Sequence, residues 1–228
     1  MNPAIPKIKN PGEYHNTEFK ESPLVEIKSD ERFETGHTYF AEGMKNATKS
    51  SLVRKEVYEM LTTAHGFLPK GYRFYIFDTW RPFLLQEELY RHYSEIVIRQ
   101  FHLEDASEEE KRKMIASFVS PPVKDPAFPP VHTTGGAVDL TILDENGRML
   151  NMGADFDEVS ERSDTIYYET ARDIEDYEKV RENRRLLYNA MTGAGFTNLP
   201  SEWWHYDYGD RFWAYYKNRP AIYSGIFE

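Results

Sequence analysis

The chain has 228 residues, enough for one sizeable core, and its 40% hydrophobic and 29% charged residues are ordinary for a globular protein. Its formal net charge of -10, with no run of lysine or arginine, excludes nucleic acid and anionic membrane surfaces as partners. Because cysteine is absent, disulfides are excluded, and any metal ion must be held by histidine, aspartate or glutamate.

Residues 1–25 are predicted to be irregular, since four prolines interrupt any regular element there. The first ten residues lack the continuous apolar stretch of a secretory signal. No segment of the chain approaches the ~18 apolar residues that a membrane span needs. These features predict a cytoplasmic protein. With neither repeats nor a convincing linker, the chain is predicted to form a single domain over residues 1–228.

The first half of the chain predicts three helices and one strand. Residues 51–64 carry apolar side chains at four-residue spacing, which predicts a helix. Residues 72–80 (YRFYIFDTW) are almost continuously apolar and β-rich, which predicts a central strand. Arg81-Pro82 closes this strand and opens a long helix that runs to about residue 101. A further helix is predicted to begin near Ser107, whose hydroxyl caps a first turn of three glutamates.

The second half mixes extended and helical segments. Five prolines between residues 121 and 130 make that segment extended and rigid. A strand is predicted over Ala137–Leu143, followed by a turn at residues 144–147 and a short return strand. Residues 173–192 predict another helix, and the aromatic segment 196–216 is predicted to contribute strands. The expected fold class is therefore α+β.

Two segments carry residues that are candidates for metal binding or catalysis. In the first, His132 opens a glycine-containing turn, and Asp139 follows seven residues later inside an apolar strand. A carboxylate between Val138 and Leu140 is costly to bury without a metal or a cationic partner. This first segment therefore indicates a metal or ion-pair site.

The second segment is Ser201-Glu202-Trp203-Trp204-His205. Residues three apart in a regular strand point to opposite faces, so Glu202 and His205 can serve one site only if Glu202 lies at a bend. Pro200 is compatible with such a bend. Either residue pattern alone occurs often by chance, but the two patterns together favour a single metal site.

The two segments supply what a catalytic zinc site requires. Zinc uses three protein ligands plus a water molecule, and His132, Asp139 and His205 are the predicted ligands. A carboxylate that does not bind the metal can take a proton from that water. Glu202 is the predicted base.

At these positions the chain resembles the VanX-type D-alanyl-D-alanine dipeptidases. The family pattern is S-x-H-x-x-G-x-A-x-D, followed later in the chain by E-x-W-H. The matching residues here are His132, Gly135, Ala137, Asp139, Glu202, Trp204 and His205. Three further segments are similar to the family in the same order, namely 77–82 (FDTWRP), 152–163 (MGADFDEVSERS) and 183–187 (NRRLL).

The resemblance implies a DD-peptidase/Hedgehog-like fold, with a small, mainly antiparallel sheet flanked by helices. It implies one Zn²⁺ per chain and a small D-amino-acid dipeptide, such as D-Ala-D-Ala, as the substrate. It also implies that Arg81 stabilises the oxyanion and that Asp157 pairs with the ammonium group of the substrate. A homodimer is compatible with the sequence.

One position departs from the family pattern. Pro130 stands where the family has a serine, two residues before the first histidine. A hydroxyl that would help to hold the substrate carboxylate is therefore missing. Backbone amides, Thr133 or Thr134 are the expected substitutes.

Two other functions remain open. A cell-wall carboxypeptidase or endopeptidase would use the same metal site but would need an open groove for a peptidoglycan stem. The lack of a signal and the presence of Asp157 argue against it. A non-catalytic module would keep zinc for structure only and would not need Glu202.

Overall fold

The computed structural model describes residues 2–227, so Met1 and Glu228, the ends of the predicted domain, lie outside it. The strands are β1 (Leu24–Glu26), β2 (Phe33–Thr35), β3 (Leu52–Arg54), β4 (Arg73–Asp78), β5 (Ala137–Leu143), β6 (Thr197–Asn198) and β7 (His205–Asp207). The helices are α1 (Thr38–Ala41), α2 (Lys55–His65), α3 (Phe83–Gln100), α4 (Glu108–Ile115), α5 (Tyr167–Thr170), α6 (Tyr177–Gly193) and α7 (Arg211–Lys217). Within residues 2–227, no helix combines the length and apolarity needed to cross a bilayer.

The main sheet has five strands in the order β2-β4-β5-β7-β6. β2 and β4 pair in parallel, and the other neighbours pair antiparallel. A separate two-stranded sheet joins β1 to β3. The expected α+β class with a small, mainly antiparallel sheet is thus confirmed.

The strand predicted over Ala137–Leu143 occupies those residues as β5, and all seven are buried. The strand predicted over 72–80 is shorter, since β4 spans Arg73–Asp78. It is also one position away from the centre of the sheet, which β5 occupies. The predicted return strand after β5 is reduced to a single bridge between Leu143 and Met149.

The predicted helices form, with adjusted ends. α2 begins at Lys55 rather than near residue 51, because residues 52–54 pair with β1 instead. α4 has the predicted cap, in which the Ser107 hydroxyl accepts from the Glu110 amide and the Glu110 side chain binds back to Ser107. α6 spans Tyr177–Gly193, close to the predicted 173–192.

The C-terminal segment 196–216 contributes the predicted strands as β6 and β7, but its last third forms a helix that the sequence did not predict. Residues 211–217 form α7, because the Asp210 carboxylate accepts hydrogen bonds from the Phe212 and Trp213 amides and caps a helix there.

One face of the main sheet forms the core. Val138, Leu140 and Ile142 alternate along β5, and this apolar face packs with buried residues of α2 and α6. Residues at odd positions of β5, including Asp139, point to the opposite face. That opposite face carries the candidate site.

Candidate metal centre

Strand pairing brings Asp139 and His205 together. Asp139 of β5 lies directly opposite His205 of β7, and Asp78 at the end of β4 lies opposite Asp139 on the other side. Directly paired residues of adjacent strands have side chains on the same face. Their apolar neighbours, Val138 and Tyr206, pair with each other and are fully buried on the core side.

His132 reaches the same place from a 3-10 turn, Val131–Thr134, that directly precedes β5. The turn ends at Gly135, which has φ +75°, a left-handed conformation that L side chains rarely adopt. A Cβ atom at Gly135 would also lie only 2.6 Å from a side-chain carbon of Leu24. The glycine therefore lets the turn close tightly against β1.

The three ligand side chains converge in a buried position, with both carboxylate oxygens of Asp139 facing the imidazoles. His132 Nε2 lies 3.2 Å from His205 Nδ1 and 3.2 Å from Asp139 Oδ2, and His205 Nδ1 lies 2.9 Å from Asp139 Oδ1. Tetrahedral zinc with bonds of about 2.0–2.1 Å to nitrogen requires ligand atoms about 3.3 Å apart. The observed separations fit that requirement. Candidate ligand atoms of these three residues all lie within 4.8 Å of one another.

Hydrogen bonds on the outer side of each imidazole support the same conclusion. His132 Nδ1 donates to the Thr79 carbonyl at 2.8 Å, and His205 Nε2 donates to Asp207 Oδ1 at 2.8 Å. These bonds leave a lone pair on His132 Nε2 and on His205 Nδ1, both directed inward toward the Asp139 carboxylate. Three acceptor groups facing one another in a buried site require a cation.

The electrostatics of the site also favour a cation. Burial opposes a charge on His205, but Asp207 and Asp139 outweigh it and raise the pKa of this imidazole well above its usual range. Against the effect of burial, His132 and His205 lower the pKa of Asp139 below its usual range. The site therefore has a negative potential in which a positive charge is stabilised.

Glu202 lies in the turn that precedes β7, as the expected bend requires. Its Oε2 is 3.7 Å from His205 Nδ1, beside the three converging atoms but not among them, and its side chain is 21% exposed. Burial, reinforced by the charges of Asp139 and Asp157, raises the pKa of Glu202 to about 8. A carboxyl group with such a pKa can both accept and release a proton near neutral pH.

Arg81 follows β4 and is buried at the wall of the site. Its Nε and Nη2 donate to Asp78 Oδ2 at 3.0 and 2.8 Å, and its Nη1 donates to Gln86 Oε1 at 2.8 Å. Nη2 lies 4.0 Å from Asp139 Oδ2. Although burial opposes its charge, Asp78 and Asp139 raise the pKa of Arg81 above its usual range, so the group stays cationic.

Asp157 lies on the loop before α5 and has φ +59°. Its Oδ2 accepts from the Tyr39 hydroxyl at 2.7 Å and from the Tyr93 hydroxyl at 2.8 Å. Burial raises the pKa of Asp157 to about 6. The two tyrosines therefore hold a carboxylate whose remaining oxygen is not involved in either bond.

All six residues singled out from the sequence line one pocket of about 740 Å³, its mouth included. Thr133 and Thr134, the expected substitutes for the missing serine, do not line it. Their hydroxyls instead donate to the carbonyls of Pro130 and Val131. These two hydrogen bonds stabilise the turn that carries His132. The expectation that either threonine supplies the missing hydroxyl is therefore wrong.

Four contributors to the site were not found from the sequence: Tyr39, Tyr93, Gln86 and Asp207. Asp207 had a usable signal, since it lies two residues after His205 in a strand and shares its face. Tyr39 and Tyr93 lie far from the site residues in sequence, and no local pattern marks Gln86, although it lies five residues after Arg81.

A family model described as D-Ala-D-Ala dipeptidase, Peptidase_M15, matches residues 27–222. A D-alanyl-D-alanine dipeptidase of Synechocystis sp. is 36% identical over 63% of this chain, and the aligned part spans 62% of that relative. Relatives of the same name from Escherichia coli and Enterococcus faecalis are 43% and 38% identical over 33% of this chain, covering 36% and 35% of their own lengths.

A solved zinc complex of the vancomycin resistance D,D-pentapeptidase VanY aligns with 78% of this chain and 85% of its own, at 13% identity and a TM-score of 0.40. That likeness is too weak to carry an argument. The family match does carry an argument, because it spans most of the chain and includes the three converging ligands and Glu202. The chain belongs to the D-Ala-D-Ala dipeptidase family, Peptidase_M15.

Proposed function

We propose that this protein is a zinc-dependent dipeptidase that hydrolyses D-Ala-D-Ala or a related short D-amino-acid dipeptide. The observation that carries the proposal is the convergence of His132, Asp139 and His205 within 4.8 Å, in the pocket that Glu202 also lines. These three residues would hold zinc, which would supply a Lewis acid and an activated water molecule. The names of the relatives support the substrate class.

Glu202 moves the proton in this reaction. Its Oε2 is beside the metal ligands, so it accepts a proton from the attacking water and delivers it to the leaving nitrogen of the peptide. A base that takes and returns one proton needs a pKa near the working pH, and burial supplies that shift.

Arg81 stabilises the negative charge that develops on the carbonyl oxygen. Its guanidinium is held by Asp78 and Gln86, so no reorganisation is needed when that charge appears. The planar, fixed orientation suits an arginine better than a flexible lysine.

Asp157 binds the free ammonium group of the substrate. Tyr39 and Tyr93 fix its carboxylate in the same pocket, so a substrate with a blocked or extended N-terminus loses this ion pair. That requirement favours a dipeptidase over an endopeptidase acting on a peptidoglycan stem.

A panel of LL, LD, DL and DD dipeptides, assayed with one equivalent of zinc, tests the proposed substrate class. We expect hydrolysis of DD dipeptides, D-Ala-D-Ala among them, and at least about 100-fold lower kcat/KM for N-acetyl-D-Ala-D-Ala, because the charged partner of Asp157 is lost. Preference for LL dipeptides would overturn the proposal. Faster cleavage of N-acylated peptides would favour the endopeptidase.

The ionisation of Asp157 predicts a pH dependence of KM. Because burial raises the pKa of Asp157 to about 6, the group is charged above that pH and neutral below it. KM for D-Ala-D-Ala should therefore rise as the pH falls through about 6. Asp157→Asn, which keeps the size and tolerates φ +59°, should raise KM at neutral pH by about 10- to 100-fold.

The KM of Asp157→Asn should be nearly independent of pH over the range where the KM of the wild type changes. Zinc content must be measured at each pH, since loss of metal would also reduce activity. An unchanged KM in the variant, or the same rise in KM below pH 6, would contradict the proposed ammonium site.

A further inference from the structure

Two buried carboxyl groups lie behind His205, on the side away from the pocket. Asp207 and Asp210 are both fully buried, and neither lines the pocket. Asp207 Oδ1 accepts the Nε2 proton of His205 at 2.8 Å. This bond fixes the tautomer in which His205 Nδ1 faces His132 and Asp139.

Asp210 connects Asp207 to the start of α7. Its Oδ1 accepts from the amides of Phe212 and Trp213 at 3.0 and 3.1 Å, which caps the helix. Its carboxyl group is also within hydrogen-bonding reach of Asp207. These contacts fix Asp210 independently of the metal ligands.

The oxygens of this carboxyl pair show how it is held together. Among the residues that the structure describes, neither Asp207 Oδ2 nor Asp210 Oδ2 has a hydrogen-bond donor. One proton between the two groups satisfies both oxygens and removes the repulsion of two buried charges.

We infer that Asp207 is a positioning residue for His205, that its buried contact with Asp210 holds Asp207 in place, and that this pair sets how tightly the site binds zinc. The inference rests on the proposed zinc site. The arrangement His205–Asp207–Asp210 links one ligand to the N-terminus of α7, so the ligand is held by a helix as well as by its strand. Hydrogen-bonded partners of this kind change metal affinity by about 10- to 100-fold.

The inference predicts a pattern of zinc affinities. Asp207→Ala should raise the zinc dissociation constant by about 10- to 100-fold, and Asp207→Asn, which keeps the shape, by about 10-fold. Asp210→Asn should stay within about 3-fold of the wild type, because its amide still donates to Asp207 and its oxygen still caps α7. Asp210→Ala loses both bonds and should weaken zinc binding by about 10-fold.

Zinc affinity is measured by competition with a chromophoric chelator, on protein shown to be folded by circular dichroism. The visible absorption of the Co²⁺-substituted protein reports ligand geometry and should change in the Asp207 variants but not in Asp210→Asn. Ser107→Ala is a matched control, since it removes the cap of α4, a helix that carries no ligand, and should leave the zinc dissociation constant unchanged.

Each outcome is decisive. If the wild type itself does not bind zinc, the proposed function fails together with the inference. If the wild type binds zinc and a folded Asp207→Asn variant binds it equally well with the same cobalt spectrum, only the inference fails. If Asp210→Asn were as impaired as Asp210→Ala, a hydrogen-bonding side chain at residue 210 would not be what holds Asp207 in place, and the inference would also be overturned.

Discussion

Replacing Glu202 with glutamine should lower kcat for D-Ala-D-Ala by about 10²- to 10⁴-fold, while the variant still binds one zinc ion. Glutamine has almost the same size but cannot take up the proton of the attacking water. Glu202 Oε2 lies 3.7 Å from His205 Nδ1, close to the ligands but outside the converging trio, so zinc should remain bound. Single-turnover rates and zinc content, measured on the same preparation, check both halves of the prediction.

Glu158→Gln is the matched control for this experiment. Glu158 also lines the pocket, but its carboxylate is occupied by the Ser160 hydroxyl and the Asp155 amide. We expect its kcat to stay within about 3-fold of the wild type. Normal turnover by Glu202→Gln would rule out Glu202 as the base. No turnover by the wild type on any dipeptide, with zinc bound, would favour the non-catalytic module.

Replacing Asp139 with asparagine should abolish tight zinc binding and lower kcat/KM by at least about 10³-fold. The amide keeps the size of the side chain but removes the negative charge that faces His132 and His205. Removing the metal from the wild type with a chelator should cause a similar loss, and added zinc should restore the activity. Zinc should also raise the melting temperature of the wild type, but not that of the variant.

Asp144→Asn provides the comparison, because Asp144 directly follows β5 but pairs with Arg148 in a turn far from the ligands. It should lose some stability while keeping zinc and activity. An Asp139→Asn variant that retained one zinc ion with unchanged affinity would remove Asp139 from the ligand set.

Two local motifs predicted His132, Asp139, Glu202 and His205, and the family resemblance added Arg81 and Asp157. All six line one pocket, and their chemical roles remain predictions. The motifs succeeded because they are local. His132 and Asp139 flank one tight turn and one strand, and Glu202 and His205 flank one bend. Buried charge inside apolar sequence is a signal that needs no knowledge of the fold.

What the sequence missed depends on contacts between distant segments. Tyr39 and Tyr93 meet Asp157 only after α1, α3 and the loop before α5 have packed together. The three-residue strands β1, β2 and β3 are too short to show an alternation in the sequence. The pairing of β3 with β1 determines where α2 begins. α7 was missed because its aromatic residues resemble strand sequence, whereas Asp210 determines the helix start.

The alternation along β5 ties the metal site to the register of the sheet. A slip of one residue would turn Asp139 toward the apolar core and present Leu140 to the pocket, and the partner ligand His205 would no longer lie opposite. Zinc can therefore be captured only after β5 and β7 have paired correctly. During refolding from denaturant, the rate of zinc uptake would therefore report how fast β5 and β7 pair.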